Sequence, residues 1–485
     1  MDNKLQKRYG LFTAIAMIVG IVIGSGIFFK AQSILIETNG NISIGILAWI
    51  LGGIVMLNCV LAFSNIASKY SEANGVIGYA QIMVGSKYSY YVGWFMATIF
   101  YPSMAAVVAW TSARFTNEFI NAINPNFPWA ISPINDGLLA GPECMIIAAF
   151  YLIGSFCINS LSPKLAGKLQ VSTTIIKLIP LLLMGIVGTI YGIKNGVIID
   201  NLNTKVEVVG SSIAQTSPLL MAVVSTAFAY EGWIVATSIS SEIKNAKRNL
   251  PLALILGSII IITVYVTYYI GVVGGANINE IIEKGAAASF NNIFGNAFGT
   301  FLFVFIIISS LGTLNGIMLA CCRGMYSLSI KNQGPSPKLF NSVDKITGIP
   351  ANSSIIGLMA CAIWLIYFYG SNLTSGWFDV FDFDISELPI ITIYTFYIPI
   401  LIMFIVKEKK MGIVKRFIIP SLAICSCIFM IIATIFSHGV MPYLEWQQHG
   451  EFRFPVLFYL IVFFIIMLIG ELLNKKNNTN NNIEN

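Results

Sequence analysis

The sequence predicts an all-α integral membrane protein with twelve transmembrane helices, and three observations carry that prediction. Hydrophobic residues make up 56% of the 485-residue chain and charged residues only 10%, with a mean hydropathy of +0.79. A soluble domain carries about 25% charged residues. This composition excludes a soluble enzyme, a nucleic-acid-binding protein and a disordered chain. Second, the chain contains twelve apolar runs, each near the roughly 20 residues that a helix needs to cross hydrocarbon. Third, Lys and Arg segregate between alternate loops, as they do in membrane proteins of fixed orientation.

In order, the runs fall near 11–36, 43–66, 88–115, 142–161, 168–193, 218–240, 250–275, 297–329, 353–370, 381–406, 415–437 and 454–474; they are called spans 1 to 12. With the N-terminus in the cytoplasm, only Arg114, Lys194, Lys205, Lys284 and Arg453 fall in opposite loops, while Lys30 and Lys177 lie inside spans. One missed span would invert every later loop and destroy the asymmetry. Both termini are therefore expected in the cytoplasm. The first apolar run is too long for a cleaved leader and has no early small-residue cleavage site. The expected organisation is a tail at 1–10, a ten-helix core at 11–406, spans 11 and 12 within 407–474, and a disordered, Asn-rich tail at 475–485. The long connections near 116–141 and 194–217 have room for a short helix or lid, not a soluble domain. The eight cysteines form no CxxC pair and the chain has two histidines, so no metal centre, redox motif or cofactor is expected.

Polar and glycine-rich interruptions mark the functional candidates. Span 1 reads GLFTAIAMIVGIVIGSGIFFKAQSIL, with Gly24-Ser25-Gly26 near its middle. Glycine costs a helix interior about 1 kcal/mol relative to alanine, so this triplet is either a break or, through Gly20 and Gly24, a close-packing face. A break would offer free N–H groups to a carboxylate and free carbonyls to an ammonium. In span 6, Glu231-Gly232 sits amid Phe228, Tyr230 and Trp233. An acid there costs about 2.5–3.5 kcal/mol on insertion scales and is a functional candidate by default. Interruptions at corresponding places in two five-helix halves, 11–193 and 218–406, are the sequence pointer to a transporter site. Lys177 lies about 14 Å along span 5 from Lys168 at 1.5 Å per residue. It is read as a fixed cation in place of a metal ion, as a proton carrier, or as a lysine held by carbonyls for stability alone. At the start of span 10, Asp379, Asp382 and Asp384 are read at the outer interface with Glu387 deeper, and Arg114 is read as an interfacial anchor.

At these residues the sequence resembles the amino acid–polyamine–organocation superfamily of permeases, most of all its L-type amino acid transporter branch and the bacterial serine/threonine exchangers. IVIGSGIF, VSTTIIKLIP, FAYEGW with SEIKNAKRNLP, and SSLGTLNGIMLACCRGMYSLSIKNQGPSP carry the likeness in that order along the chain. The resemblance implies a leucine-transporter-like fold of five plus five inverted helices, with spans 1 and 6 broken and spans 11 and 12 outside the core. It implies alternating access. It places Gly24, Ser25 and Gly26 at the substrate carboxylate, and the carbonyls of Val22, Phe228 and Glu231 at the amine. Phe228 becomes the aromatic gate. Lys177 falls where sodium-coupled members bind an ion, with Ser309, Ser310 and Asn315 as neighbours. Relatives often carry Asp or Gly at the position of Glu231. Animal members join a glycoprotein through a cysteine after span 3; residues 116–141 have none, so that partner is not expected.

The reading that follows is a sodium-independent exchanger of small or medium neutral L-amino acids in a bacterial cell membrane. A proton symporter, a carrier of cationic amino acids or polyamines, and an amino-acid sensor are the alternatives. A membrane enzyme would need paired intramembrane aspartates or an HExxH helix, and neither is present. The only partners expected are the amino acid and the lipid bilayer.

Overall fold

Hydrocarbon offers backbone polar groups no partner, so apolar runs of this length satisfy their own N–H and C=O groups as helices. A computed structural model describes residues 9–70, 75–124, 133–134, 138–139, 141–204, 217–237, 243–344, 347–371, 377–378, 381–449 and 454–484. Eleven of its helices are long and apolar enough to cross a membrane. Leu11–Val22 and Gly26–Glu37 meet at a 47° bend and together make the twelfth span. The face carrying Tyr9 is called the near face, and the one carrying Glu37 the far face.

Several boundaries differ from the sequence reading. Span 3 runs from Ser86 to Ile123, beyond the expected end at 115, through a π turn at Met96–Phe100. Arg114 therefore lies two turns inside the helix and pairs with Glu118 at 3.1 Å, rather than anchoring its end. The span 6 helix stops at Tyr230, and 238–240 lie outside the described residues. Span 10 begins at Leu388, not 381. The Asp384 carboxylate accepts the Ser386 N–H at 2.5 Å, a local bond that competes with helix formation, and Pro389 then opens the helix. Asp379 lies outside the described residues. The helix of span 12 runs from Pro455 to Glu484, where a disordered tail was expected; extending an existing helix needs no new nucleus, and Glu471 pairs with Lys475 one turn on. The connection after span 3 holds a two-residue antiparallel pair, Pro133–Ile134 with Leu138–Leu139. The connection after span 5 holds the short helix Val197–Asn203.

Span 3 is the central helix, with 94% of its most apolar stretch buried, whereas span 12 at 11% lies on the rim. Spans 5 and 7 meet almost backbone to backbone. A Cβ on Gly188 would lie 2.3 Å from the Gly271 carbonyl oxygen, the close approach that small residues permit in membranes. All eight cysteines are free thiols. Two pairs lie side by side, Cys59 of span 2 with Cys427 of span 11 at 3.8 Å and Cys321 of span 8 with Cys361 of span 9 at 3.6 Å. On the near face the Lys244 N–H donates to the Tyr9 carbonyl at 2.8 Å, tying the start of span 1 to the segment after span 6.

Candidate functional site

The break in span 1 comes from the Gly24-Ser25-Gly26 triplet and its surroundings. Ile23 leaves the helix with φ −72° and ψ 102°, and the second half begins at Gly26. The first turn of that half has N–H groups without intrahelical partners, at the positive end of its dipole. Span 6 breaks at the same depth. Its helix ends at Tyr230, Glu231 is extended, and Gly232 takes φ +106°, a conformation that side chains rarely adopt.

The two breaks face each other across one cavity of about 400 Å³, counting all space between atoms. Val22, Gly24, Ser25, Gly26, Phe228 and Glu231 all line it. A Cβ on Gly26 would lie 3.1 Å from the Ala229 Cα, so the second half of span 1 touches the backbone of span 6. The Ser25 hydroxyl is 3.0 Å from that of Thr111 in span 3. The Glu231 carboxyl is buried, and the Tyr394 side chain and the Gly232 N–H lie beside it as its polar neighbours.

Behind the break of span 1 sits Lys177, fully buried. Its ammonium donates to the carbonyl of Gly20 at 2.8 Å, to that of Ile23, and to the Thr313 hydroxyl at 3.2 Å. The Thr313 hydroxyl also lies 3.1 and 3.0 Å from the same two carbonyls. The lysine thus occupies acceptors that the unwound backbone exposes. Gly20 packs against Thr174 and Gly24 against Thr313, so the close-packing face and the break expected of this stretch both exist. Ser309 reaches the Gly24 carbonyl at 3.4 Å. Ser310 does not join the site, because its hydroxyl turns back to Ile306 of its own helix. Asn315 bonds Ala166 and Gln170 of span 5 and accepts from Asn159 of span 4, and so links helices away from the break.

Three site neighbours escaped the sequence reading: Thr111, Thr313 and Tyr265. The Tyr265 hydroxyl lies 3.1 Å from the Val22 carbonyl and 3.0 Å from that of Ala229, joining the last turns of both first halves. The Val22 carbonyl, expected for a substrate amine, therefore already has one donor and one lone pair left. None of the three stands out in sequence, since hydroxyls inside apolar helices commonly bond their own turn. On the far side a second, more open hollow, of about 740 Å³ counting all space between atoms and the solvent it opens to, is lined among others by Lys30, Trp110, Thr111, Arg114, Asp382 and Asp384. Thr111 is its link to the inner cavity.

A broken-helix pair around a central cavity is the architecture of carriers, and comparison with known proteins agrees. The profile of the amino acid permease family matches residues 9–466. The chain belongs to the amino acid permease family. This permease is similar to the serine/threonine exchanger SteT of Bacillus subtilis (strain 168), with 27% identity over 446 residues, covering 90% of this chain and 93% of that protein. It is 24% identical to the mouse (Mus musculus) b(0,+)-type amino acid transporter 1 over 462 residues, 91% of this chain and 85% of that one. The human (Homo sapiens) Asc-type amino acid transporter 1 is 24% identical over 348 residues, 72% of this chain and 64% of that protein. The match thus spans less than two thirds of the Asc-type relative. The permease family and the apolar helices place the protein in a membrane.

Proposed function

We propose that this permease exchanges small or medium neutral L-amino acids across the cell membrane, without sodium, by alternating access at the inner cavity. The observation that carries the reading is the convergence of Val22, Gly24, Ser25, Gly26, Phe228 and Glu231 on one space between two helix breaks. In this reading the N–H groups at Ser25 and Gly26 hold the substrate carboxylate. Carbonyls at the ends of the first halves, including those of Val22, Phe228 and Glu231, hold the amine, and Phe228 closes over the side chain. Residues 11–193 and 218–406 act as two inverted halves around this site. Both termini face the cytoplasm, as the Lys and Arg distribution supports. The protein works as a carrier, not an enzyme, and without a disulfide-linked subunit, since residues 116–141 offer no cysteine.

Lys177 supports sodium independence. Two carbonyls and a threonine hydroxyl are ligands suited to a hard cation, and here a covalently attached ammonium fills their centre. Ser309 steadies the same break through the Gly24 carbonyl. A second reading, proton symport, is favoured by the buried Glu231 carboxyl in the cavity wall.

The test is uptake of labelled serine, threonine, alanine, leucine, arginine and glutamate into proteoliposomes in sodium-free buffer. Uptake of neutral amino acids only with unlabelled amino acid inside is expected. Uptake into empty vesicles driven by outside acid would replace exchange with symport, and a requirement for sodium would overturn the role given to Lys177.

A further inference from the structure

Among the described residues, a buried group of charges lies away from the substrate cavity, and substrate binding does not account for it. Glu387 immediately precedes the helix of span 10, its side chain making no cap bond, and is 6% exposed. One carboxylate oxygen receives the Lys30 ammonium from the second half of span 1. The other is 2.8 Å from Nε2 of His438, which lies in the π turn Phe436–Val440 of span 11. Ser225, in the first half of span 6, lies 3.5 Å from the Glu387 carboxylate and donates to Glu37 at 2.5 Å. The charged and titratable groups facing one another here are Lys30, Glu37, Asp384, Glu387 and His438.

We propose that Lys30, Glu387 and His438 form a proton-responsive latch that holds the far side of the permease closed. The helix that carries Lys30 starts at Gly26 and the helix that carries Ser225 ends at Tyr230, both at the cavity wall. Fastening them through Glu387 to spans 10 and 11 therefore holds the roof of the cavity to helices that do not line it. Lys30 also borders the far-side cavity, so separating the pair would open its lysine end to that space. A buried ion pair whose partners can be rehydrated has two states: intact and dry, or separated and wet. Taking away one partner leaves the other charge buried and uncompensated, which favours the open, wet state. His438 sets the response to pH. Imidazole is the side chain whose ordinary titration falls closest to neutrality. Protonated, it gives Glu387 a second cation; neutral, it leaves Lys30 alone to balance Glu387. The latch therefore tightens in acid and loosens in base.

The inference rests on alternating access at the inner cavity, and its test needs no substrate. Val108 lines that cavity, so Val108→Cys in nanodiscs reports opening through its rate of labelling by a charged thiol reagent. Labelling of the native cysteines is subtracted using the chain without that change. Adding Glu387→Gln is expected to speed labelling about tenfold or more, the scale of losing one partner of a buried pair. Without that change, the labelling rate divided by the reagent's rate with a free thiol at the same pH, which removes the cysteine's own ionisation, is expected to rise from pH 5.5 to 8.5, and adding His438→Gln should flatten that corrected rise. His438→Gln keeps an amide donor for Glu387, so it tests the latch even if Glu387→Gln folds poorly. Labelling at the parent rate in Glu387→Gln, or an unchanged pH response in His438→Gln, overturns the proposal. An intact labelling response without amino-acid exchange would instead remove the transport reading and leave the latch standing.

Discussion

At the scale of single residues, the site depends on very short distances and on a few ions out of water. Gly26→Ala places a methyl 3.1 Å from the Ala229 Cα, against backbone that cannot turn aside. It is expected to destabilise the fold by about 1–3 kcal/mol and to slow exchange, read as a lower thermal midpoint and a reduced initial rate in the same preparation. Lys177→Met leaves the Gly20 and Ile23 carbonyls without their ammonium and is expected to abolish exchange; a variant at parental rate would show that the lysine serves stability alone. Lys331, just past span 8, donates to the Ile77 carbonyl and the Ser89 hydroxyl. Burial pushes its ammonium down from the ordinary 10.5 to about 8. Between those values the unfolded chain binds more protons than the folded one, so this site's contribution to stability rises with pH. In Lys331→Met that dependence is lost, and the thermal midpoint of the parent should gain on the variant from pH 8 to 10. A gap that stays constant would contradict the assignment.

At the scale of elements, two helices are broken at one depth, and one tyrosine joins their ends. Tyr265→Phe removes the hydroxyl shared by the Val22 and Ala229 carbonyls. The expected loss is about 1–3 kcal/mol for acceptors left unsatisfied, together with weaker substrate binding, measured by thermal shift with and without amino acid. Breaks and buried charge were legible in the sequence because Gly24-Ser25-Gly26, Glu231 and Lys177 are conspicuous in apolar runs. Their partners were not. Thr313 and Tyr265 look like ordinary helix residues, and they reach the break of span 1 only through long-range packing. Lys30 reads in sequence only as a lysine inside span 1 and His438 only as one of two histidines, and their meeting at Glu387 joins positions 357 and 51 residues apart in sequence. The misplaced start of span 10 has a local cause, since apolar residues at 381–387 read as helix while Asp384 bonds the next turn instead.

At the scale of the whole molecule, twelve spans follow from the apolar runs and the Lys and Arg pattern, but their neighbours do not. Burial separates them: span 3 is enclosed on all sides and span 12 faces lipid along most of its length. The polar end of span 12 extends beyond the apolar stretch as helix. Removal of residues 477–485 is expected to leave exchange within about twofold of the full chain, since trimming the polar end of a chain is commonly tolerated. Replacement of sodium by choline is likewise expected to leave the rate unchanged, and a fall with sodium removal would reopen the question of what fills the acceptors around Lys177.

The paired thiols have a consequence for poisons. A soft metal ion binds thiolates far more readily than carboxylates or carbonyls, and two sulfurs side by side offer it two ligands at once. At Cys59 and Cys427 such an ion would staple span 2 to span 11, and at Cys321 and Cys361 span 8 to span 9. Inhibition by a mercurial would then come from immobilising the helices, not from filling the substrate cavity. Bound substrate would give little protection at these two places, whereas replacing one cysteine of each pair with serine would remove the staples.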